Sequence, residues 1–140
     1  MLSRRKGHDF ERHLVKLFKP IFPDYRVCRG QQGMGGIVPD VDIPHYWIEA
    51  KRGRKPSPMA ALKQAKRDTD GRIPVAIIRD DRSTAFVVCE YKVGLVKAPT
   101  VQGRTIRMAF KDPCRYVYRG HELLLLSLPR FLRLLKSRHP

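Results

Sequence analysis

The chain has 140 residues, with 29 Lys and Arg against 13 Asp and Glu and a formal net charge of +16. That length suits one domain with a substantial core and leaves no room for two. A hydrophobic content of 42% argues against disorder, and the charge excess points to a polyanionic partner, a basic surface kept for solubility being the alternative.

Lys6 to Lys19 reads as a first helix ended by Pro20, with Phe10, Leu14, Leu17, Phe18 and then Ile21 at three- and four-residue steps. Glu11 shares the face of Leu14, Val15 and Phe18 and points toward the core edge. A carboxylate there needs a donor or a metal, and an arginine ion pair would serve it as well. Tyr25-Arg26-Val27-Cys28 is expected to be a short strand. The loop Gly30-Gln31-Gln32-Gly33-Met34-Gly35-Gly36 lacks the Gly-Lys-Ser/Thr of a phosphate-cradling loop. Its glycines suit either a flexible connection or a segment lying closely on nucleic acid.

The most informative stretch is Pro39-Asp40-Val41-Asp42-Ile43-Pro44-His45-Tyr46-Trp47-Ile48-Glu49-Ala50-Lys51. Alternation puts Glu49 and Lys51 on one face of a strand and Ala50 on the other. A hairpin symmetric about Pro44-His45 pairs Asp42 with Trp47 and sets Asp40 opposite Glu49, with Cβ atoms roughly 4.5–5.5 Å apart. Two carboxylates at that spacing repel unless a cation joins them. Such a pair with a lysine beside it is suited to holding a divalent metal against a phosphate.

Arg52-Gly53-Arg54-Lys55-Pro56 is a basic turn. Ser57 as N-cap and Pro58 at the first helical position open a helix to about Thr69, with Ala61, Leu62 and Ala65 buried. Pro74-Val75-Ala76-Ile77-Ile78-Arg79 reads as a central strand covered on both faces. Asp80-Asp81-Arg82-Ser83 is a turn, its acids expected to face solvent, and Ala85-Phe86-Val87-Val88-Cys89 is a returning strand. Thr105-Ile106-Arg107-Met108 and Tyr116-Val117-Tyr118 are further strands. Ser127-Leu128-Pro129 starts a last helix through Leu135, whose Phe131 and Leu135 would seal the core or form a dimer seam. Leu123-Leu124-Leu125-Leu126 is far too short to span a membrane, and no basic amphipathic helix stands alone.

Pro39-Asp40 followed by Glu49-Ala50-Lys51 resembles the signature of the PD-(D/E)XK nuclease superfamily, which includes restriction enzymes, archaeal Holliday-junction resolvases and VRR-NUC domains. Lys6-Gly7-His8-Asp9-Phe10-Glu11 is similar to the Gly-x-x-Phe-Glu helix opening the resolvases. Gln64 stands where many members carry a helical glutamine, and Trp47-Ile48-Glu49-Ala50-Lys51-Arg52-Gly53 is similar to phage resolvase-like proteins. The resemblance covers about residues 4–90. It implies an α/β fold with a restriction-endonuclease-like core, a mixed sheet of about five strands flanked by helices. Residues 1–140 would be one nuclease domain, with strands and a helix over 104–137 packed on that core.

The same resemblance implies the chemistry. Asp40, Glu49 and the Ala50 carbonyl would ligate Mg²⁺, for which Mn²⁺ would substitute, a hard cation preferring oxygen. Glu11 would ligate a second ion or hold a water, and Asp42 is the fallback ligand. Lys51 would orient the attacking water or stabilise charge on phosphorus, and Gln64 would contact phosphate or water. Arg4, Arg5, Lys6, Arg52, Arg54, Lys55, Lys63, Lys66 and Arg67 flank these elements and would bind DNA phosphates in a salt-dependent way without reading sequence. The expectation is a metal-dependent endodeoxyribonuclease acting on branched DNA as a homodimer, Holliday-junction resolvase-like. A flap or single-strand nuclease of VRR-NUC type, or a non-catalytic basic DNA-binding protein on a nuclease scaffold, is the alternative. Cys28, Cys89 and Cys114 are odd in number without paired spacing, and no apolar stretch follows Ser3-Arg4-Arg5-Lys6. The expected setting is therefore a reducing cytoplasm, bacterial or that of a phage-infected host, with no membrane partner and no zinc site.

Overall fold

The first helix, α1 (Leu2–Phe18), buries Phe10, Leu14 and Phe18 along one side, the stripe its spacing predicts. The computed structural model describes residues 2–30, 36–81, 83–102 and 112–140. Two later helices start at the caps written in the sequence. Ser57 Oγ accepts from Ala60 N at 3.2 Å to open α2 (Pro58–Asp68). Ser127 Oγ accepts from Arg130 N at 3.2 Å to open α3 (Leu128–Arg138).

Among the described residues the strands are β1 (Cys28–Arg29), β2 (Val41–Asp42), β3 (Tyr46–Gly53), β4 (Ile73–Asp80), β5 (Phe86–Glu90), β6 (Thr100–Gln102), β7 (Cys114–Tyr118) and β8 (His121–Ser127). They form one open mixed sheet in the order β1-β2-β3-β4-β5-β8-β7-β6, parallel at β3–β4 and β6–β7 and antiparallel elsewhere. The fold is mixed α/β, as expected, but the sheet has eight strands instead of about five. Strand β8 carries the four consecutive leucines. Leu124 and Leu126 join the core under α1, whereas Leu123 and Leu125 join the core under α2. A strand buried on both faces shows no polar alternation, so its sequence carries no period-2 signal. Strand β6 is a three-residue edge, and the expected strand Thr105–Met108 lies outside the described residues.

The expected strand Tyr25–Cys28 is also displaced, because the ladder takes only Cys28 and Arg29. Tyr25 N bonds to Phe22 O at 3.2 Å and Val27 N bonds to Tyr25 O at 2.9 Å. These local turns consume the donors that a strand would have offered to a neighbour.

Helices α1 and α3 cover one face of the sheet and α2 covers the other. Phe18 meets Phe131 edge to face at 6.3 Å between centroids, and Phe131 and Leu135 are fully buried. Of the two roles left open for them, they seal the core. Cys89 and Cys114 are buried free thiols, Cys28 is half-buried, and burial pushes the Cys89 thiol up to about 12. Among the described residues no helix is long and apolar enough to cross a membrane.

Candidate active site

Strand parity sorts the residues of β3 between two environments. Ile48 and Ala50 enter the core under α1. Glu49 and Lys51 are in register with Ala76 and Ile78, which belong to the core under α2. The hairpin register is the symmetric one, with Asp42 opposite Trp47 and Val41 opposite Ile48. The ladder ends at the Val41–Ile48 pair; Asp40 N donates to the same residue, at Ile48 O and 2.9 Å, so the backbone of Asp40 lies beside Ile48 instead of directly opposite Glu49 as the symmetric hairpin predicts. The Asp40 carboxylate then turns along the sheet edge, where Oδ2 accepts from Ala50 N at 2.8 Å. The N–H and C=O of one strand residue point to the same neighbour. The Ala50 carbonyl is therefore directed to the Asp40 side of β3, away from β4.

Gly30 fixes this corner. Its N–H donates to Asp40 O at 3.1 Å, and a Cβ built on it would lie 1.9 Å from the Pro39 carbonyl oxygen. Only a residue without a side chain allows that approach. The close backbone contact that the glycine suggested is thus made with Pro39. Residues 31–35 of the same loop lie outside the described residues.

Glu49 is 3% exposed and is the one buried charged residue among the described residues. Its nearest cation is Lys51, with Nζ 3.7 Å from Oε1, too long for a hydrogen bond. Burial pushes the Glu49 carboxyl up to about 8; the charge of Asp40 and a hydrogen bond with it add to the rise, and Lys51 opposes it. Near neutral pH the Asp40–Glu49 pair therefore retains a proton, which a cation would displace. Glu11 lies on the other side of the same edge, where Oε1 accepts from Arg29 Nε at 3.0 Å. Burial raises its carboxyl above the ordinary value, the Arg29 hydrogen bond opposes this, and the charge of Asp40 adds to it. Asp40 is thus the shared neighbour of Glu49 and Glu11.

No three His, Cys, Asp or Glu side chains among the described residues are gathered closely enough to hold a metal ion. Glu11, occupied by Arg29, does not close a triad with Asp40 and Glu49. What remains is a smaller oxygen set: the carboxyl groups of Asp40 and Glu49 and the Ala50 carbonyl directed to their side. These are hard donors lacking positive charge, and they fit Mg²⁺ by chemistry.

The other sequence candidates fall into separate groups. Asp42 Oδ1 accepts from Arg72 Nη1 at 2.7 Å and from the Tyr25 hydroxyl at 2.8 Å, so Asp42 is engaged in an ion pair of its own, apart from Asp40 and Glu49. Gln64 is half-buried on α2, beside buried Ala61 and Ala65, with Lys63, Lys66 and Arg67 exposed around it. Lys66 Nζ reaches Glu90 at 3.3 Å. Arg4, Arg5, Arg54 and Lys55 are exposed, whereas Lys6 and Arg52 converge on Asp81. Sequence reasoning passed over Arg29, the partner of Glu11, and Asp68, whose charge adds to the rise at Glu49. Asp68 follows Gln64 by four residues and so shares its helix face, a spacing visible in the sequence; nothing local marks Arg29.

No protein-family model, curated protein or solved structure matches this chain.

Proposed function

We propose that the protein is a metal-dependent endonuclease that hydrolyses phosphodiester bonds in DNA, acting on branched DNA and as a homodimer. The observation that carries this reading is Glu49: a carboxyl removed from water, placed beside Asp40, with its nearest cation among the described residues 3.7 Å away. A structural acid at that depth would be expected to have a close cationic partner. A divalent cation bound between the two carboxyls would displace the proton they hold and neutralise the buried charge, and perturbed acids of this kind cluster at functional sites.

In the reaction, water adds to phosphorus and one bridging P–O ester bond breaks, leaving a phosphate monoester and a hydroxyl end. Mg²⁺, when bound, supplies Lewis-acid polarisation of the phosphate and eases ionisation of the attacking water. Asp40, Glu49 and the Ala50 carbonyl would hold it. Lys51, 42% exposed at the side chain and on the face of Glu49, reaches outward to orient the water or neutralise charge gathering on the phosphate oxygens. Asp40 is held rigidly by Ala50 N–H and by the Gly30 contact to its backbone, so the chain arranges its acids before substrate arrives. Glu11 and Gln64 flank the site from opposite faces of the sheet. The net charge of +16 supplies affinity through phosphates without base readout.

The test is cleavage of a labelled four-way junction, a flap and a plain duplex by wild type and Lys51→Ala, in Mg²⁺ and in EDTA. Paired symmetric nicks in the junction, lost with EDTA and with the substitution, are the expected result. Preference for flaps or single strands would replace the resolvase assignment with a neighbouring nuclease class. Tight binding without metal-dependent cutting of any substrate would overturn the enzyme reading.

A further inference from the structure

On the α1 face of the sheet, across the edge from Glu49 and Lys51, three cations meet around one acid. Arg52 and Arg79 are directly opposed in the parallel register of β3 and β4. They follow Ala50 and Ile77 by two residues and so share the face of the core under α1. Adjacent strands lie about 4.8 Å apart, and like charges directly opposite destabilise a sheet. The Nε atoms of both arginines are buried without a hydrogen-bond partner among the described residues. Lys6, from the first turns of α1, donates to Asp81 Oδ2 at 3.0 Å, and Arg52 Nε stands 3.8 Å from Asp81 Oδ1. The Lys6 hydrogen bond, with the charges of Arg52 and Arg79, holds the Asp81 carboxyl below the ordinary aspartate value. Asp81 sits at an exposed turn, with its backbone N–H fixed to Gly53 O at 3.0 Å.

We propose that Lys6, Arg52 and Arg79 form a second phosphate-binding site for the nucleic-acid backbone, and that Asp81 occupies the position of that phosphate in the free protein. This deepens the functional reading above and rests on its polyanionic ligand, not on cleavage. Asp81 brings one negative charge to three positive ones. A phosphodiester brings the same charge with two unesterified oxygens, which suit paired guanidinium donors better than a single shared carboxylate. Placement supports the same ligand. Arg52 is the neighbour of Lys51 on the opposite face of β3, and Lys6 precedes Glu11 by five residues, about 7.5 Å along α1. A strand crossing this edge with one phosphate at Lys51 would set another within reach of Arg52. Exchange of carboxylate for phosphate makes Asp81 a brake on non-specific binding, because any polyanion must displace it.

The competing account is a plain ion-pair staple tying α1 to the β4–β5 turn, and the two differ in sign. In EDTA, where nothing is cut, binding of labelled duplex DNA is followed by anisotropy over a series of salt concentrations. The proposal expects Asp81→Asn to tighten binding about 3–10-fold, and Arg79→Gln to weaken it by a similar factor and reduce the salt slope by about one. Melting temperatures and circular dichroism identify any variant that fails to fold. Folded Asp81→Asn with unchanged or weaker affinity, or folded Arg79→Gln with an unchanged slope, overturns the site. Arg52→Gln provides the second arm if Arg79→Gln does not fold. Wild type that shows these shifts but cuts no DNA in Mg²⁺ sinks the nuclease reading and leaves this site standing. Cutting with neither shift sinks the site alone, and absence of DNA binding by wild type sinks both.

Discussion

At the turn end of β2 and β3, Asp42 has Arg72 at 2.7 Å and the Tyr25 hydroxyl at 2.8 Å, and Arg72 also lies 5.1 Å from the centre of the Trp47 ring. At the other end of the same pair of strands, Glu49 has a carboxylate for a neighbour and a lysine 3.7 Å away. Both ends offer an acid and a cation on the α2 face. The first satisfies its acid and so builds structure; the second leaves its acid short of charge, although it is the more deeply buried of the two. A fold that can pair Asp42 with a cation at hydrogen-bond distance does not do so for Glu49, and that difference is the feature on which the proposed metal site rests.

The comparison breaks most visibly in catalysis. Lys51→Ala and Glu49→Gln are each expected to lower metal-dependent cleavage by about 10²–10³-fold with an unchanged or raised melting temperature. Arg72→Ala should leave the cleavage rate per folded molecule within about threefold, a change too small to mark a catalytic group. Cleavage lost in Arg72→Ala while Lys51→Ala stays active would invert the assignment of the two ends.

Stability provides the reverse contrast. Asp42→Asn weakens a charge-assisted pair that is partly open to solvent and should cost about 1–2 kcal/mol, or about 3–8 °C in melting temperature for a chain of this size. Asp40→Asn should cost nothing and can gain, because the amide oxygen still accepts from Ala50 N–H while the charge beside Glu49 disappears. Gly30→Ala belongs with the active end despite lying outside β2 and β3. Its Cβ would press on the Pro39 carbonyl, so it should displace Asp40 and reduce cleavage as well as stability. Thermal melts of the three variants beside their cleavage rates check this.

These expectations separate what the sequence carries from what it withholds. Ser57-Pro58 and Ser127-Leu128-Pro129 are local cap signals, and the helices begin there. Pro44-His45 between alternating residues sets a register, and Asp42 faces Trp47 as that register requires. The leucines of β8 belong to both faces and so carry no periodic pattern. Arg72 and Asp42 are thirty residues apart, and Glu11 meets Arg29 across a turn; among 29 Lys and Arg, no local rule selects the partner. Alternation reveals the placement of Glu49 on one face of β3, but its near-complete burial depends on α2 and on the packing of the sheet.

The pH dependence sharpens the contrast without mutation. In the folded state the Glu49 carboxyl is pushed up from 4.5 to about 8, so the folded protein binds a proton that the unfolded chain releases. Its contribution to stability is fully present below about pH 4.5 and is lost as pH rises through about 8. Melting temperature in EDTA should therefore fall across that window. Mg²⁺ should flatten the fall, as should Asp40→Asn, which removes one cause of the shift. A melting temperature independent of pH in EDTA would mean that Glu49 is compensated after all.

The smallest expected effect falls on Glu11, the ion-pair partner of Arg29 beside Asp40. Arg29 is what lowers the Glu11 carboxyl against burial and the charge of Asp40. Arg29→Gln keeps most of the side-chain volume and removes the cation, so the Glu11 carboxyl must rise further. If Glu11 acts ionised in the reaction, the acid limb of the cleavage pH profile should move upward, with the rate at the plateau little changed. If Glu11 serves only to hold α1 against β1, the profile stays where it is and only the melting temperature drops. The two outcomes are read from the same variant, and the second would confine the reacting groups to Asp40, Glu49 and Lys51 on β3 and its hairpin partner.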